Sequence, residues 1–112
     1  MSKLVAVYGT LKQGHGNNRL LEDSRCLGVT RTRPEYTLYS LGYFPCVAPH
    51  GDTAVQVEVY EVDERVFGNL DRLEGYPSFY DRKKIDTEYG EAWMYFIDEE
   101  RDDNVKIASG VW

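Results

Sequence analysis

The chain has 112 residues, 42% hydrophobic and 29% charged, with a net charge of −6 and a pI near 4.8. That length and balance fit one globular domain over residues 1–112, large enough to bury a core without metal or disulfide help. The acidic balance argues against a nucleic-acid partner, because phosphate binding needs a basic surface. No apolar run after Met1-Ser2-Lys3 is long enough for a leader or a membrane span, so a cytoplasmic protein with no membrane partner is expected.

The apolar run Leu4 to Tyr8 stops at Gly9. Apolar without alternation, Lys3 to Tyr8 reads as a strand buried on both faces. A strand that ends in a glycine turn leaves backbone N–H groups without ladder partners, and these can hold a small anion. Tyr8, Gly9, Thr10 and Leu11 are therefore the candidate anion cradle. Asn17 to Glu22 predicts one helical turn with Asn17 or Asn18 as cap. Arg25 to Arg33 reads as an edge strand stopped by Pro34. Tyr36 to Tyr39 is a short strand. Leu41 to Val47 is apolar but broken by Gly42 and Pro45, which predicts an irregular segment packed inward: a pocket wall or a core-packed loop.

Gly51-Asp52 predicts a turn. Val55, Val57 and Val59 alternate with polar neighbours, which predicts a strand running to Val62. Asp63 is a helix N-cap, and Val62 with Phe67 can form a hydrophobic staple. Val66, Phe67, Leu70 and Leu73 share one face of a helix over Glu64 to Glu74, with Gly75 as the stop and Pro77 beyond it. Phe79 to Glu88 and Ala92 to Ile97 predict a hairpin turned at Tyr89-Gly90. Asp98 to Asn104 reads as a solvated acidic turn, and Val105 to Trp112 as a last short strand. Five to seven strands and one clear helix make an α+β domain whose mixed sheet is strongly bent or closed.

Glu74 stands out chemically. It lies four residues past Leu70, near the buried side of the helix, and at the C-terminal end of the dipole, where a carboxylate is disfavoured. Its carboxyl should titrate high, as general acid–base work near neutrality requires. The alternative is a helix-end glutamate paired to Arg72 or Arg82. Tyr80 is either a phenol near Glu74 or a core aromatic. Ser40, Ser78 and Ser109 have no nucleophile elbow or placed histidine. Cys26 and Cys46 are read as free, inert thiols. His15 and His50 lack metal-ligand spacing, so no metal is expected.

The runs Val7-Tyr8-Gly9-Thr10-Leu11-Lys12, Glu58 to Asp63, Leu70-Asp71 with Glu74-Gly75-Tyr76-Pro77, and Tyr80-Asp81-Arg82 together resemble the gamma-glutamylcyclotransferase-like superfamily, the AIG2-like group. The closing Ile107 to Trp112 resembles the tail of its short bacterial members, which usually carry Asp where Val111 stands. Asn17 or Asn18 with Leu20-Leu21, and Val62 to Arg65, most resemble the gamma-glutamylamine cyclotransferases. The resemblance implies a small mixed β-barrel with short flanking helices. It implies a γ-glutamyl substrate held by Tyr8, Gly9, Thr10 and Leu11, and Glu74 as the catalytic residue. The reaction would release 5-oxoproline with no cofactor. Gly42 and Tyr80 are expected at the substrate's far wall and near Glu74. A non-catalytic binding protein of the same fold is the alternative.

Overall fold

The strand Lys3–Val7 (β1) occupies the centre of the molecule. The computed structural model describes residues 2–112. β1 lies in a five-stranded sheet of order β2-β5-β1-β7-β6, formed with Arg25–Arg31 (β2), Gln56–Val62 (β5), Asp81–Thr87 (β6) and Gly90–Phe96 (β7). It runs antiparallel to β5, with Val5 opposite Tyr60, and parallel to β7, with Val5 opposite Trp93. Its alternate side chains enter two separate cores. Val5 and Val7 join one with Val62, Val66, Phe67 and Leu70, while Ala6 and Tyr8 join another with Val57, Val59 and Met94. The lack of alternation in the sequence is thus explained: both faces of β1 are covered.

Tyr36–Ser40 (β3) and Pro45–Thr53 (β4) form a separate two-stranded ribbon, with Leu38 opposite Val47. The ribbon is stitched to the sheet where the N–H of Ile97 donates to the carbonyl of Val47 at 2.9 Å. Strand pairing among the described residues gives this sheet and ribbon and no closed barrel. The expected barrel is therefore reduced to a mixed α+β fold.

One helix, Glu64–Glu74 (α1), packs on the Val5 side of the sheet. Asp63 caps it as predicted, its carboxylate accepting from the N–H of Val66 at 2.8 Å. Gly75 ends it in the left-handed conformation at φ +65°, with the N–H of Tyr76 returning to the carbonyl of Asp71 at 2.9 Å. Leu70 is fully buried, a transfer worth about 1.5–3 kcal/mol. Leu73 is not on the core face: it is 42% exposed. Three residues past Leu70, it has rotated beyond the edge of the buried stripe.

Other local expectations shift. Gly51-Asp52 does not turn the chain but stays inside β4, with Gly51 at φ +125° opposite an irregularity between Tyr36 and Thr37. A bulge uses the same left-handed glycine as a turn would. Residues 41–44 are irregular as expected, yet Pro45 already begins β4. Phe79 and Tyr80 precede β6 instead of starting it. The tail forms a 3₁₀ turn at Asp103–Val105 and a single bridge from Lys106 to Tyr39, in place of the strand expected over Val105 to Trp112. Arg101, within the acidic turn, points inward. Its Nε is buried, and its guanidinium lies against the Cys46 thiol, whose pKa burial nonetheless raises.

Thr32 shows how the β2 end is fastened. Its hydroxyl accepts from the N–H of Val55 at 2.9 Å and donates to the carbonyl of Arg33 at 2.9 Å. Val55 is fully buried, so no solvent can replace that acceptor. Thr32→Val should cost about 1–3 kcal/mol, read as a lower urea midpoint with an unchanged slope. An unmoved midpoint would mean that the Val55 N–H finds another acceptor.

Candidate active site

A cavity of about 310 Å³ opens where the end of β1 meets the end of α1. One wall is the chain from Tyr8 to Leu11. The opposite wall is Tyr43, Phe44 and Pro45, and the remaining side carries Leu73, Glu74, Phe79 and Tyr80.

The first wall is held from behind. The N–H of Lys12 donates to the carbonyl of Gly9 at 3.0 Å, and that of Asn17 to the carbonyl of Thr10 at 3.0 Å. Asn17 Nδ2 donates to the Thr10 hydroxyl at 2.8 Å, and Asn18 Nδ2 to the Leu11 carbonyl at 2.8 Å and the Tyr60 hydroxyl at 3.1 Å. The sequence suggested these asparagines as helix caps, but the Asn17 side chain caps nothing and secures the cradle instead. Lys12, itself buried, donates from Nζ to the carbonyl of Trp112 at 2.9 Å, and the Trp112 ring lies 5.3 Å from that of His15. Among the described residues, no acceptor is hydrogen-bonded to the N–H of Gly9, Thr10 or Leu11. Three successive amides beside a cavity are thus open hydrogen-bond donors.

Gly9 is required by space. A Cβ there would fall 2.6 and 2.7 Å from Cγ and Cδ of Pro45. The two walls touch at this point, which fixes their separation across the rest of the cavity.

Glu74 reaches its wall as the last residue of α1. The N–H of Tyr80 donates to its backbone carbonyl at 3.2 Å, which folds residues 75–80 back beside it. Its carboxylate takes part in no hydrogen bond or ion pair among the described residues. The two expected partners are engaged elsewhere: Arg72 bonds Asn69, and Arg82 pairs with Asp71 at 3.0 Å. Three phenols lie within electrostatic reach of Glu74, and each donates its proton elsewhere. Tyr8 donates to the carbonyl of Tyr95 at 2.8 Å, Tyr80 to that of Pro45 at 2.5 Å, and Tyr95 to Asp71 at 2.6 Å. Burial without a donor pushes the Glu74 carboxyl up from 4.5 to about 7. Burial also raises all three phenols, and the nearby carboxylate adds to the effect.

A model of the family described as gamma-glutamyl cyclotransferase, AIG2-like, matches residues 5–112. The chain belongs to this gamma-glutamylcyclotransferase family. A Vibrio cholerae protein with the provisional name gamma-glutamylcyclotransferase is 44% identical over 112 residues, spanning 100% of this chain and 96% of its own. The gamma-glutamylcyclotransferase family protein YtfP of Escherichia coli K12 is 37% identical over 108 residues, 96% of this chain and 94% of its own. Among solved structures, the uncharacterized protein PH0828 of Pyrococcus horikoshii superposes with a TM-score of 0.84 at 29% identity, over 97% of this chain and 88% of that one.

In this cyclotransferase-family chain, the cavity gathers Tyr8, Gly9, Thr10, Leu11, Glu74 and Tyr80, but not Gly42. Gly42 sits at φ +100° in the turn that delivers Tyr43 and Phe44, with open space around it. Tyr80 is beside Glu74 without bonding its carboxylate. Sequence reasoning missed Tyr95 and the Asp71–Arg82 pair. The Arg82 guanidinium is packed between the rings of Tyr76 at 4.1 Å and of Phe67 and Trp93 at 4.6 Å. The aromatic density of residues 93–96 was the available signal for that stacking site.

Gly9→Ala should drive Pro45 off the β1 end and cost about 1–3 kcal/mol in urea unfolding, as overpacking does. Wild-type stability in that variant would show that the wall at Pro45 yields freely.

Proposed function

We propose that the protein cyclises γ-glutamyl amides, with Glu74 moving the protons. The observation that carries this reading is the unpaired Glu74 carboxyl, raised to about 7, in the same cavity as the free amides of Gly9, Thr10 and Leu11. A group with that pKa accepts and returns protons efficiently near neutrality.

In this reading the three amides hold the α-carboxylate of the glutamyl group and set its chain in a folded conformer. The α-nitrogen then lies against the γ-carbonyl carbon. Nucleophile and electrophile belong to one molecule, so selecting the near-attack geometry supplies much of the acceleration. The α-nitrogen forms the new C–N bond, and the bond from the γ-carbon to the amide nitrogen breaks. The α-ammonium loses two protons in becoming the lactam N–H. One of them passes to solvent; Glu74 receives the other and delivers it to the departing nitrogen, which already carries one hydrogen and leaves as the free amine, later protonated in solution by the proton that solvent received. The products are 5-oxoproline and the amine. The protons of Tyr8, Tyr80 and Tyr95 go to other acceptors, so none of them lowers the basicity of the carboxylate.

Glu74→Gln should retain the fold and lower the rate of 5-oxoproline release by about 10²–10⁴-fold. Persistent turnover in that variant would remove Glu74 from the mechanism, and binding of γ-glutamyl compounds without any wild-type turnover would leave a binding protein of the same fold. For the wild type, kcat/KM should climb with pH through about 7, because the ionised carboxyl is the active form. A flat profile across that range contradicts the assignment.

The same shift acts on stability. Below the unfolded value of 4.5 the carboxyl is protonated in both states and carries no penalty; above about 7 the folded protein must ionise it in place. Stability therefore falls between those two values. Glu74→Gln should be more stable than wild type at about pH 8, by up to about 3 kcal/mol at 1.36 kcal/mol for each unit, and no more stable at about pH 4. Thermal melts at the two pH values test this independently of any substrate.

A further inference from the structure

The loop that carries the open amides is tied, away from the cavity, to β5. Glu58 stands opposite Val7, the last residue of β1, and Tyr60 follows two residues later on the same face of the strand. Oε1 of Glu58 accepts from the N–H of Gln13 at 2.8 Å and from the Tyr60 hydroxyl at 3.0 Å. That hydroxyl accepts in turn from Asn18 Nδ2 at 3.1 Å, and the same Nδ2 donates to the Leu11 carbonyl at 2.8 Å. The path from the Leu11 carbonyl through Asn18, Tyr60 and Glu58 to the Gln13 N–H closes a ring through Lys12. Its directions are fixed, because an amide nitrogen only donates and a carboxylate only accepts. Tyr60 is buried, and burial is the main cause holding its phenol up at about 12, so the hydroxyl keeps the proton it gives to Glu58. Glu58, Tyr60 and Asn18 do not line the cavity.

Peptide planarity carries this ring to the site. In a trans peptide the carbonyl and the N–H of the following residue point to opposite sides. Asn18 holds the carbonyl of the Leu11–Lys12 peptide, and the N–H of that peptide donates to the carbonyl of Gly9 at 3.0 Å. The Gly9 carbonyl, held there, turns the N–H of Thr10 to the opposite side. Freeing the Leu11–Lys12 peptide would therefore let the Thr10 amide rotate. We propose that Glu58, acting through Tyr60 and Asn18, is a positioning residue that orients the open amide of Thr10 without touching the ligand. Its effect on turnover rests on the γ-glutamyl reading above.

Tyr60→Phe breaks the ring and keeps the buried aromatic volume. Neither this change nor Glu58→Leu touches the bond from the Lys12 N–H to Gly9, so hydrogen exchange at that amide reports the orientation of the loop. In Tyr60→Phe it should quicken roughly tenfold while the amides of the β1–β5 ladder keep their rates, since the opening is local. The kcat/KM for 5-oxoproline release from γ-glutamylmethylamide and γ-glutamylalanine should fall roughly tenfold, as misplacement of a positioning group does. The double variant with Glu58→Leu should lose less than the two single losses multiplied together, because both break one ring. Unchanged exchange at Lys12, or equal acceleration at every amide, overturns the inference and leaves the cyclotransferase reading standing. Local acceleration with wild-type kcat/KM overturns it as well, since the loop would then be ordered without consequence for the substrate. Local acceleration in the variant, with no 5-oxoproline released by the wild type from either compound, counts against the cyclotransferase reading and keeps Glu58 as the group that orients the loop.

Discussion

What the site depends on is a missing hydrogen bond. Three phenols lie within electrostatic reach of Glu74, and each is committed to another acceptor, as is the Arg82 guanidinium. The protons of Tyr8 and Tyr80 go to backbone carbonyls, that of Tyr95 goes to Asp71, and the Arg82 guanidinium also goes to Asp71. Asp71 sits three residues before Glu74 on the same helix and acts as the sink for nearby donors. Were Arg82 to swing to Glu74, the carboxyl would fall toward the ordinary range and lose its basicity near neutrality. Stacking against Tyr76, Phe67 and Trp93 prevents that swing. The aromatic content of the chain thus fixes donor directions as well as filling the core.

The central position of β1 explains why the site is where it is. Its C-terminal end must be left unpaired for the amides of Gly9 to Leu11 to remain free, while its body is paired on both sides. The helix covering the Val5 face ends at the same level, which brings Glu74 within the cavity. Contact between Gly9 and Pro45 then sets the spacing of the walls. Each wall comes from a different element, so the geometry is a property of the packed domain and of no single loop.

Where the sequence was legible, a local rule coincided with the tertiary one. The span of α1 followed from Asp63 and Gly75, and the double burial of β1 from its unbroken apolar run. Glu74 could be found from its spacing to Leu70. Its high pKa was expected from the helix dipole, whereas the cause in the structure is burial. Leu73 shared that helical spacing and still ended at the surface, because nothing packs over its side of the stripe. The Gly51 turn and the final strand were misjudged, and strand pairing among the described residues does not close the expected barrel, for a common reason. Each depended on which strands pair, and a glycine or a short apolar run fits a bulge or a bridge as well as a turn or a strand. The routing of Arg82 to Asp71 instead of Glu74 had no sequence signal, since both carboxylates lie on one helical segment.

The bond from Lys12 to Trp112 has a consequence for the whole chain. It joins positions one hundred residues apart, and it steadies the loop that carries the free amides. Contacts of such long separation form late, after the loops between them have closed. The loop that carries the free amides is thus fastened by a contact of the same long range as the β1–β7 pairing at the centre of the sheet. A chain whose C-terminal end is loose would bury much of the core and still leave that loop without its Trp112 anchor.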